Sequence, residues 1–407
     1  ALKNIAKSDD MHIVGIDRGE RNLIYVSVID LQGNIIEQKN FNIINGVNYK
    51  EKLRQREIER DRARKNWREV GKIKELKEGY LSLVVHEIAQ LIVKYNAIVV
   101  MEDLNRGFKR GRFKVERQVY QKFENLLISK LHYLIDKNLE ITEEGGLLRG
   151  YQMTYQPERL EQIGRQCGYI FYVPAAYTSK IDPTTGFVAI FDGKKMEDEK
   201  FVMSFKSIRY NKEKDMFAFE FDYRDFETHN VRLTKNEWRI FTNGKRLKRE
   251  KINGKWGSVK KINLTNEMVE IMRAFNLNYL NGEEILLQIE KLDQTERKNI
   301  CRKIKELVRY IVQMRNSLPD NEEDDYDEII SPVLNDDGEF FDSSNYKESA
   351  RLPKDADANG AYCIALKGLY EVKQIKENWD KNQEFSREVL KIKHTDWFDF
   401  IQNKRYL

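Results

Sequence analysis

MHIVGIDRGERNLIYVSVIDL, residues 11–31, is the stretch on which the reading of this chain turns. Ile13, Val14 and Ile16 form a β-branched run that ends at Asp17; polar Arg18 to Asn22 interrupt it, and Ile24, Val26, Val28 and Ile29 resume it. The pattern predicts two antiparallel strands joined by a hairpin. A strand that ends in one acid brings a carboxylate to the mouth of a sheet, where the backbone is fixed and a metal ion or phosphate can be held. Taken alone, an Asp before Arg-Gly is a turn residue. Its weight comes from the other acids placed at element ends along the chain.

The chain has 407 residues, enough for two or three domains, and its 41% hydrophobic content is enough for real cores. No apolar run approaches a membrane span and no charged-then-apolar signal opens the chain, which predicts a cytoplasmic protein with no membrane partner. The opening ALKNIAKSDD resembles neither a natural start nor a signal, so the chain reads as a fragment. Cys167, Cys301 and Cys363 stand far apart, encoding neither a zinc ribbon nor a disulfide framework. Net charge is only +5 from 71 basic and 66 acidic residues, so its distribution carries the information.

Lys50 to Glu69 holds strong helix formers, no Gly or Pro, nine basic and five acidic residues. Lys52, Arg56, Arg60, Arg64 and Arg68 recur every fourth residue as one basic stripe, suited to a phosphate backbone or to pairing with the acids of the same helix. Trp67 reads as core or as an exposed anchor for a partner. Tyr80 to Lys94 carries the apolar face of a buried helix, and Ala97 to Met101 a strand running into Glu102 and Asp103. The strand-helix-strand rhythm predicts a mixed α/β sheet. RGFKRGRFK, residues 106–114, is a Gly-punctuated basic loop with Lys109, Arg110 and Arg112, suited to follow a nucleic-acid strand.

Beyond a further amphipathic helix over Glu116 to Asn138, SKIDPTTGF at 179–187 marks the best domain boundary. Phe217, Phe219, Phe221 and Tyr223 alternate on one strand face. Asn243-Gly244 and Asn253-Gly254 predict two tight hairpins carrying Arg239, Lys245, Arg246, Lys248, Arg249, Lys251 and Lys255 with Trp238 and Trp256 interleaved, a composition suited to single-stranded nucleic acid. QMRNS closes a helical pattern at Arg315, Asp320 to Glu328 reads as an acidic loop, and KDADANGAYCIALKGL, residues 354–369, opens with acids and continues as an apolar helix.

Asp17, Glu102 and Asp357 thus each end a strand or open a helix. Hard oxygen ligands at converging element ends suit Mg²⁺, and two such ions about 4 Å apart can drive phosphodiester hydrolysis. The five histidines form no metal-spaced pair and no partner for a nucleophile.

GIDRGERNL around Asp17, VVMEDLNRGFKRGRFK around Glu102, QMRNS at Arg315 and DADANGAYCIALKGL around Asp357 closely resemble the three RuvC segments and the Nuc segment of type V-A CRISPR RNA-guided DNA endonucleases, in order through nearly all of the chain. The resemblance implies an α/β RNase H-like RuvC domain, a mixed sheet flanked by helices, built from three discontinuous segments at 1–49, 70–187 and 331–407. A bridge helix at 50–69 and an inserted α+β Nuc domain at 188–330 complete the implied organisation. It implies catalytic, metal-holding roles for Asp17, Glu102 and Asp357 with two Mg²⁺ ions, Mn²⁺ serving as a substitute. Arg315 becomes the Nuc-domain helper arginine, Trp67 the bridge-helix residue that docks into the recognition lobe, Asp327 or Asp325 a secondary Nuc acid, and Asp355 a further metal-proximal acid or cap. The implied partners are target and non-target DNA strands, a CRISPR guide RNA, and recognition and wedge regions lying before residue 1; the implied setting is a bacterial cytoplasm. Such effectors cut both DNA strands at one site and, once activated, unrelated single strands, while guide pairing reads the target. Three other readings compete: a compact transposon-encoded RNA-guided nuclease, an actin-like ATPase, since VGIDRG also resembles that family's first phosphate loop, and a binding module without catalysis.

Overall fold

A computed structural model of the protein describes residues 1–18, 22–65, 73–103, 117–155, 166–191, 196–227, 233–252, 255–317, 327–382 and 390–404. The chain divides into two compact units, one formed by Ala1–Thr178 and Gly360–Ile392, the other by Ser179–Asn359 and Lys393–Arg405.

The first unit opens with a short helix α1 (Leu2–Lys7) and the strands β1 (His12–Asp17), β2 (Tyr25–Ile29) and β3 (Ile35–Asn40). A two-residue pair, β4 (Ile43–Ile44) and β5 (Val47–Asn48), leads into helices α2 (Tyr49–Lys65) and α3 (Ile73–Lys94), then β6 (Ala97–Asp103), α4 (Arg117–His132) and β7 (Ile170–Pro174). The sheet order is β3-β2-β1-β6-β7, antiparallel among the first three and parallel from β1 through β7, the mixed sheet that the strand-helix-strand rhythm predicts. The predicted hairpin over residues 11–31 is present: β1 and β2 pair antiparallel with Asp17 opposite Tyr25. Glu102 and Asp103 lie inside β6, not beyond its end, because β7 pairs alongside them as far as Pro174.

Alternation along β1 and β6 sends their side chains to two faces. Val14, Ile16, Val99 and Met101 join a buried cluster with Val84, Ile88 and Ile92 of α3 and Phe123, Leu127 and Leu131 of α4. The opposite face is covered by α9 (Ala356–Asn382), whose residues from Gly360 onward belong to this unit. The approach is at backbone distance. A Cβ added to Gly15 would lie 2.2 Å from the Ala361 carbonyl oxygen, and one added to Gly368 would lie 2.3 Å from Val100 Cγ2. Only glycine permits such contact.

In the second unit, α5 (Asp198–Met203) precedes a three-stranded antiparallel sheet of β8 (Ser207–Asn211), β9 (Met216–Asp222) and β10 (Glu237–Phe241) in the order β10-β9-β8. Phe217, Phe219, Phe221 and Tyr223 are all buried, and Phe191, Phe201, Phe205 and Phe226 join Phe221 in edge-to-face and tilted ring contacts at centroid distances of 5.0–5.8 Å. A two-stranded ribbon, β11 (Lys245–Ile252) with β12 (Lys255–Asn263), is followed by α6 (Leu264–Ala274), α7 (Ile285–Ile289) and α8 (Gln294–Ile311). The sheet β13 (Arg315–Ser317), β14 (Asp327–Leu334) and β15 (Phe340–Asp342) comes next, and α10 (His394–Gln402) closes the unit.

Three expectations change here. The strands on either side of Asn253-Gly254, β11 and β12, pair with each other, but Asn243-Gly244 does not make a hairpin: β10 pairs with β9 and not with β11. Gly244 takes a left-handed φ of +78°, and the chain uses it as a corner between two sheets, with the Asn243 amide donating to Ser331 O. Trp238 and Arg246 are buried and so are not stacking or phosphate-binding groups: the indole packs edge-on against Phe187, and the guanidinium donates to the carbonyls of Gln313, Asn243 and Ile330. Arg315 opens a strand instead of ending a helix, and the acids Asp327 and Glu328 begin β14 instead of closing a loop.

Candidate active site

Asp17 ends β1, and Glu102 stands one register step beyond the last β1–β6 pair, Ile16 with Met101. Two adjacent parallel strands therefore present carboxylates at the same end and on the same face, the edge where open α/β sheets bind ligands. That face is the one α9 covers. The buried Asp17 carboxylate fills the hollow left by the missing side chain of Gly360, where a Cβ would lie 2.4 Å from Asp17 Oδ2.

Glu102 accepts a 2.7 Å hydrogen bond from Thr178 Oγ1, while its own carbonyl accepts from the Arg18 guanidinium. Burial raises its carboxyl above the usual range, against the opposing pull of the Thr178 hydrogen bond and the charges of Arg18 and Lys367. Lys367 is itself pulled down to about 8 by burial, opposed by the charge of Glu102. A further acid stands nearby in the same field. Glu124 on α4 accepts from the Tyr172 hydroxyl and is raised mainly by burial, with Arg18 lowering and Asp103 raising it.

The second unit has its own acidic group. Arg315 Nη2 donates to Asp357 Oδ1 at 2.7 Å and to Asp327 Oδ1 at 3.3 Å, and its Nε donates to Ser317 Oγ at 3.0 Å. The Asp357 side chain is fully buried and that of Asp327 is 8% exposed, so the guanidinium is the counter-charge of two carboxylates taken out of water. Asp327 also accepts from Ser317 Oγ and from the Asp357 backbone N–H. Asp355 caps the first turn of α9 by accepting from Ala358 N–H, the helix-capping role an Asp fills well, while Asp357 turns its side chain to Arg315. Burial first, and the charges of Asp327 and Asp357 after it, push Asp355 up to about 6. Among the described residues, no three His, Cys, Asp or Glu side chains are already closed into a metal-ligand set.

On α2, Lys52 and Arg56 are exposed and Arg60 is half-buried. Arg56 pairs with Glu59 at 2.8 Å, so acids of the same helix engage at least part of the stripe. Arg64 lies on this helix; Trp67, Arg68, Lys109, Arg110, Arg112 and Asp325 lie outside the described residues.

The sequence reading passed over Arg18, Glu124, Thr178 and Lys367. One of them carried a signal: Lys367 interrupts the apolar run Ile364-Ala365-Leu366, where a lysine is buried only if its donors are met. Among the described residues no helix is long and apolar enough to cross a membrane.

The family model of the RuvC nuclease domain matches residues 1–406. A mixed central sheet flanked by helices, with acids at one end of neighbouring parallel strands, fits the RNase H-like architecture of such nucleases. Nucleases of this kind act on nucleic acid and generally use divalent metal ions. The chain belongs to the RuvC nuclease family.

Proposed function

We propose that this chain is the catalytic portion of a type V-A CRISPR RNA-guided DNA endonuclease, cutting both strands of a guide-paired target, and single strands once activated, at one carboxylate site. The observation that carries the reading is the placement of Asp17 and Glu102 in register on adjacent parallel strands under α9, the helix that Asp357 opens. Gly360, which makes room for the Asp17 carboxylate, stands three residues after Asp357 in that helix.

The donor chemistry fits a divalent cation. All three groups are hard carboxylate oxygens, Gly360 leaves a cradle that any side chain would fill, and crowding of Asp355 against Asp327 and Asp357 is the kind of repulsion that a cation relieves. Asp17, Glu102 and Asp357 would hold two Mg²⁺ ions, or Mn²⁺ in their place, which when bound would supply water activation and stabilise the oxygens on both sides of the scissile phosphorus. The chain's own residues do the rest. Thr178 orients Glu102 by hydrogen bond, as outer groups do for ligating carboxylates. Arg315 orders Asp357 and Asp327 by its ion pairs, and its fork of donors suits it to share itself with a phosphate oxygen. The Nuc assignment for the segment at 188–330, the bridge-helix assignment for α2 with Trp67 as its docking residue, guide RNA, and the recognition and wedge regions as partners belong to the same reading.

The test is cleavage of labelled DNA and RNA oligonucleotides by the effector containing this chain, loaded with guide and target. We expect Mg²⁺-dependent cutting of both target strands and of bystander DNA but not RNA. Asp17→Ala, Glu102→Gln or Asp357→Asn should each lower the rate by at least about 10³-fold with guide and target binding kept. Full activity in any of the three, or cutting in the presence of a chelator, would remove that residue or the metal from the mechanism.

A further inference from the structure

Lys367 lies in the interior of the first unit, 1% exposed, in a stretch of α9 where Ile364, Ala365 and Leu366 are also fully buried. Burying an ammonium costs several kcal/mol unless its donors find acceptors. Here Nζ donates to two backbone carbonyls, Pro174 O and Ala176 O, each at 2.6 Å. Pro174 ends β7, and Ala176 lies in the turn by which the chain leaves it. The next residue, Tyr177, has φ +59°, a left-handed conformation that is unfavourable for a residue with a Cβ and persists only where its surroundings over-determine it. After Tyr177 comes Thr178, whose Oγ1 lies 2.7 Å from Glu102 Oε1 and 3.2 Å from Ala175 O. A hydroxyl has one proton to give, and the shorter contact is to the carboxylate, where charge makes the stronger bond.

We infer that Lys367 is a positioning residue: by clamping the carbonyls of Pro174 and Ala176 it holds the left-handed turn that aims the Thr178 hydroxyl at Glu102, and so sets the orientation of that carboxylate toward a divalent cation. The inference rests on the reading of Glu102 as a metal ligand. A methionine would fill the same volume at lower desolvation cost, so packing alone does not account for a lysine here. The ammonium provides two strong, charge-assisted anchors on a loop whose own conformation is unfavourable. It also places a positive charge in the field of Glu102.

The experiment is a calorimetric titration of the purified chain with Mn²⁺ alone, so that the readout is affinity and not turnover. The expected pattern has Glu102→Gln losing the site, and Thr178→Val and Lys367→Met each weakening Mn²⁺ binding about 10-fold, the usual size of an outer-shell effect. The double variant Thr178→Val/Lys367→Met should be no weaker than either single one, because both break one relay. Thr178→Ser, which keeps the hydroxyl, should bind like the unaltered chain. Wild-type affinity in Thr178→Val overturns the proposal whatever Lys367→Met does, including failure to fold. Wild-type affinity in a folded Lys367→Met overturns it, as do losses that add in the double variant. If instead Glu102→Gln binds Mn²⁺ as tightly as the unaltered chain, the ligand reading itself falls, and the clamp's proposed purpose with it.

Discussion

The acids of the two units are neutralised by opposite means. Around Glu102 the lysine donates to backbone carbonyls, and a neutral hydroxyl hydrogen-bonds the carboxylate. Around Asp357 the guanidinium itself touches the carboxylate and reaches Asp327 as well. A carboxylate oriented by a hydroxyl keeps most of its lone pairs for a cation. One paired with arginine carries a fixed counter-charge that an arriving cation or phosphate must share. The contrast separates a group arranged by space and hydrogen bonding from one arranged by charge, and the two should fail differently.

Removing the arginine should produce the largest loss. Arg315→Ala leaves the buried Asp357 and Asp327 carboxylates without their guanidinium, a change that in buried pairs costs about 3–5 kcal/mol. Urea denaturation at neutral pH should register it. Because the deficit is positive charge, millimolar Mg²⁺ should raise the midpoint of the variant more than that of the unaltered protein. A variant of unchanged stability would mean that the pair is not what orders these acids.

The same cluster should respond to pH through Asp355. Its carboxyl titrates at about 6 in the folded protein against 3.8 for the free group, so between those values the folded state holds a proton that the unfolded chain has lost. This contribution favours the folded state below about pH 4, declines as pH rises through 6, and is gone above it. Asp355→Asn abolishes the titration while its amide oxygen still caps Ala358 N–H. The variant should match the unaltered protein at pH 4 and exceed it at pH 7.5 by up to about 3 kcal/mol, at 1.36 kcal/mol per pH unit. Denaturation at the two pH values checks it; an equal difference at both would mean that neither burial nor the neighbouring acids raise the Asp355 carboxyl in the fold.

Much of this arrangement was legible in the chain, for reasons that particular residues make plain. The β-branched runs around Gly15 and Val99 fix two strands because alternation and branching are local properties, and the apolar spacing after Asp357 fixes a helix for the same reason. Pairing is not local. Asn243-Gly244 encodes a left-handed corner correctly, but which strands lie on either side depends on β9, more than twenty residues earlier in the chain. Charge is legible only as composition. Arg246 and Lys248 look alike in sequence, yet the first is fully buried against backbone carbonyls that the sequence does not announce. Lys367 belongs to the same class, its role set by carbonyls nearly two hundred residues away in the chain.

The smallest effects test the group arranged by space. Gly360→Ala would put a methyl 2.4 Å from Asp17 Oδ2, and since the obstacle is a buried carboxylate on a central strand, relief requires moving β1 or α9. Overpacking of this kind costs about 1–3 kcal/mol. Gly79 on α3 is the control: a Cβ there meets nothing within 4 Å, so Gly79→Ala should stabilise by about 0.5–1 kcal/mol through helix propensity alone. Opposite signs in a pair of thermal melts would show that the Asp17 hollow is a fitted feature. Should Gly360→Ala also stabilise, the carboxylate has room to move, and the unit around Glu102 is no better ordered by shape than the one around Asp357 is by charge.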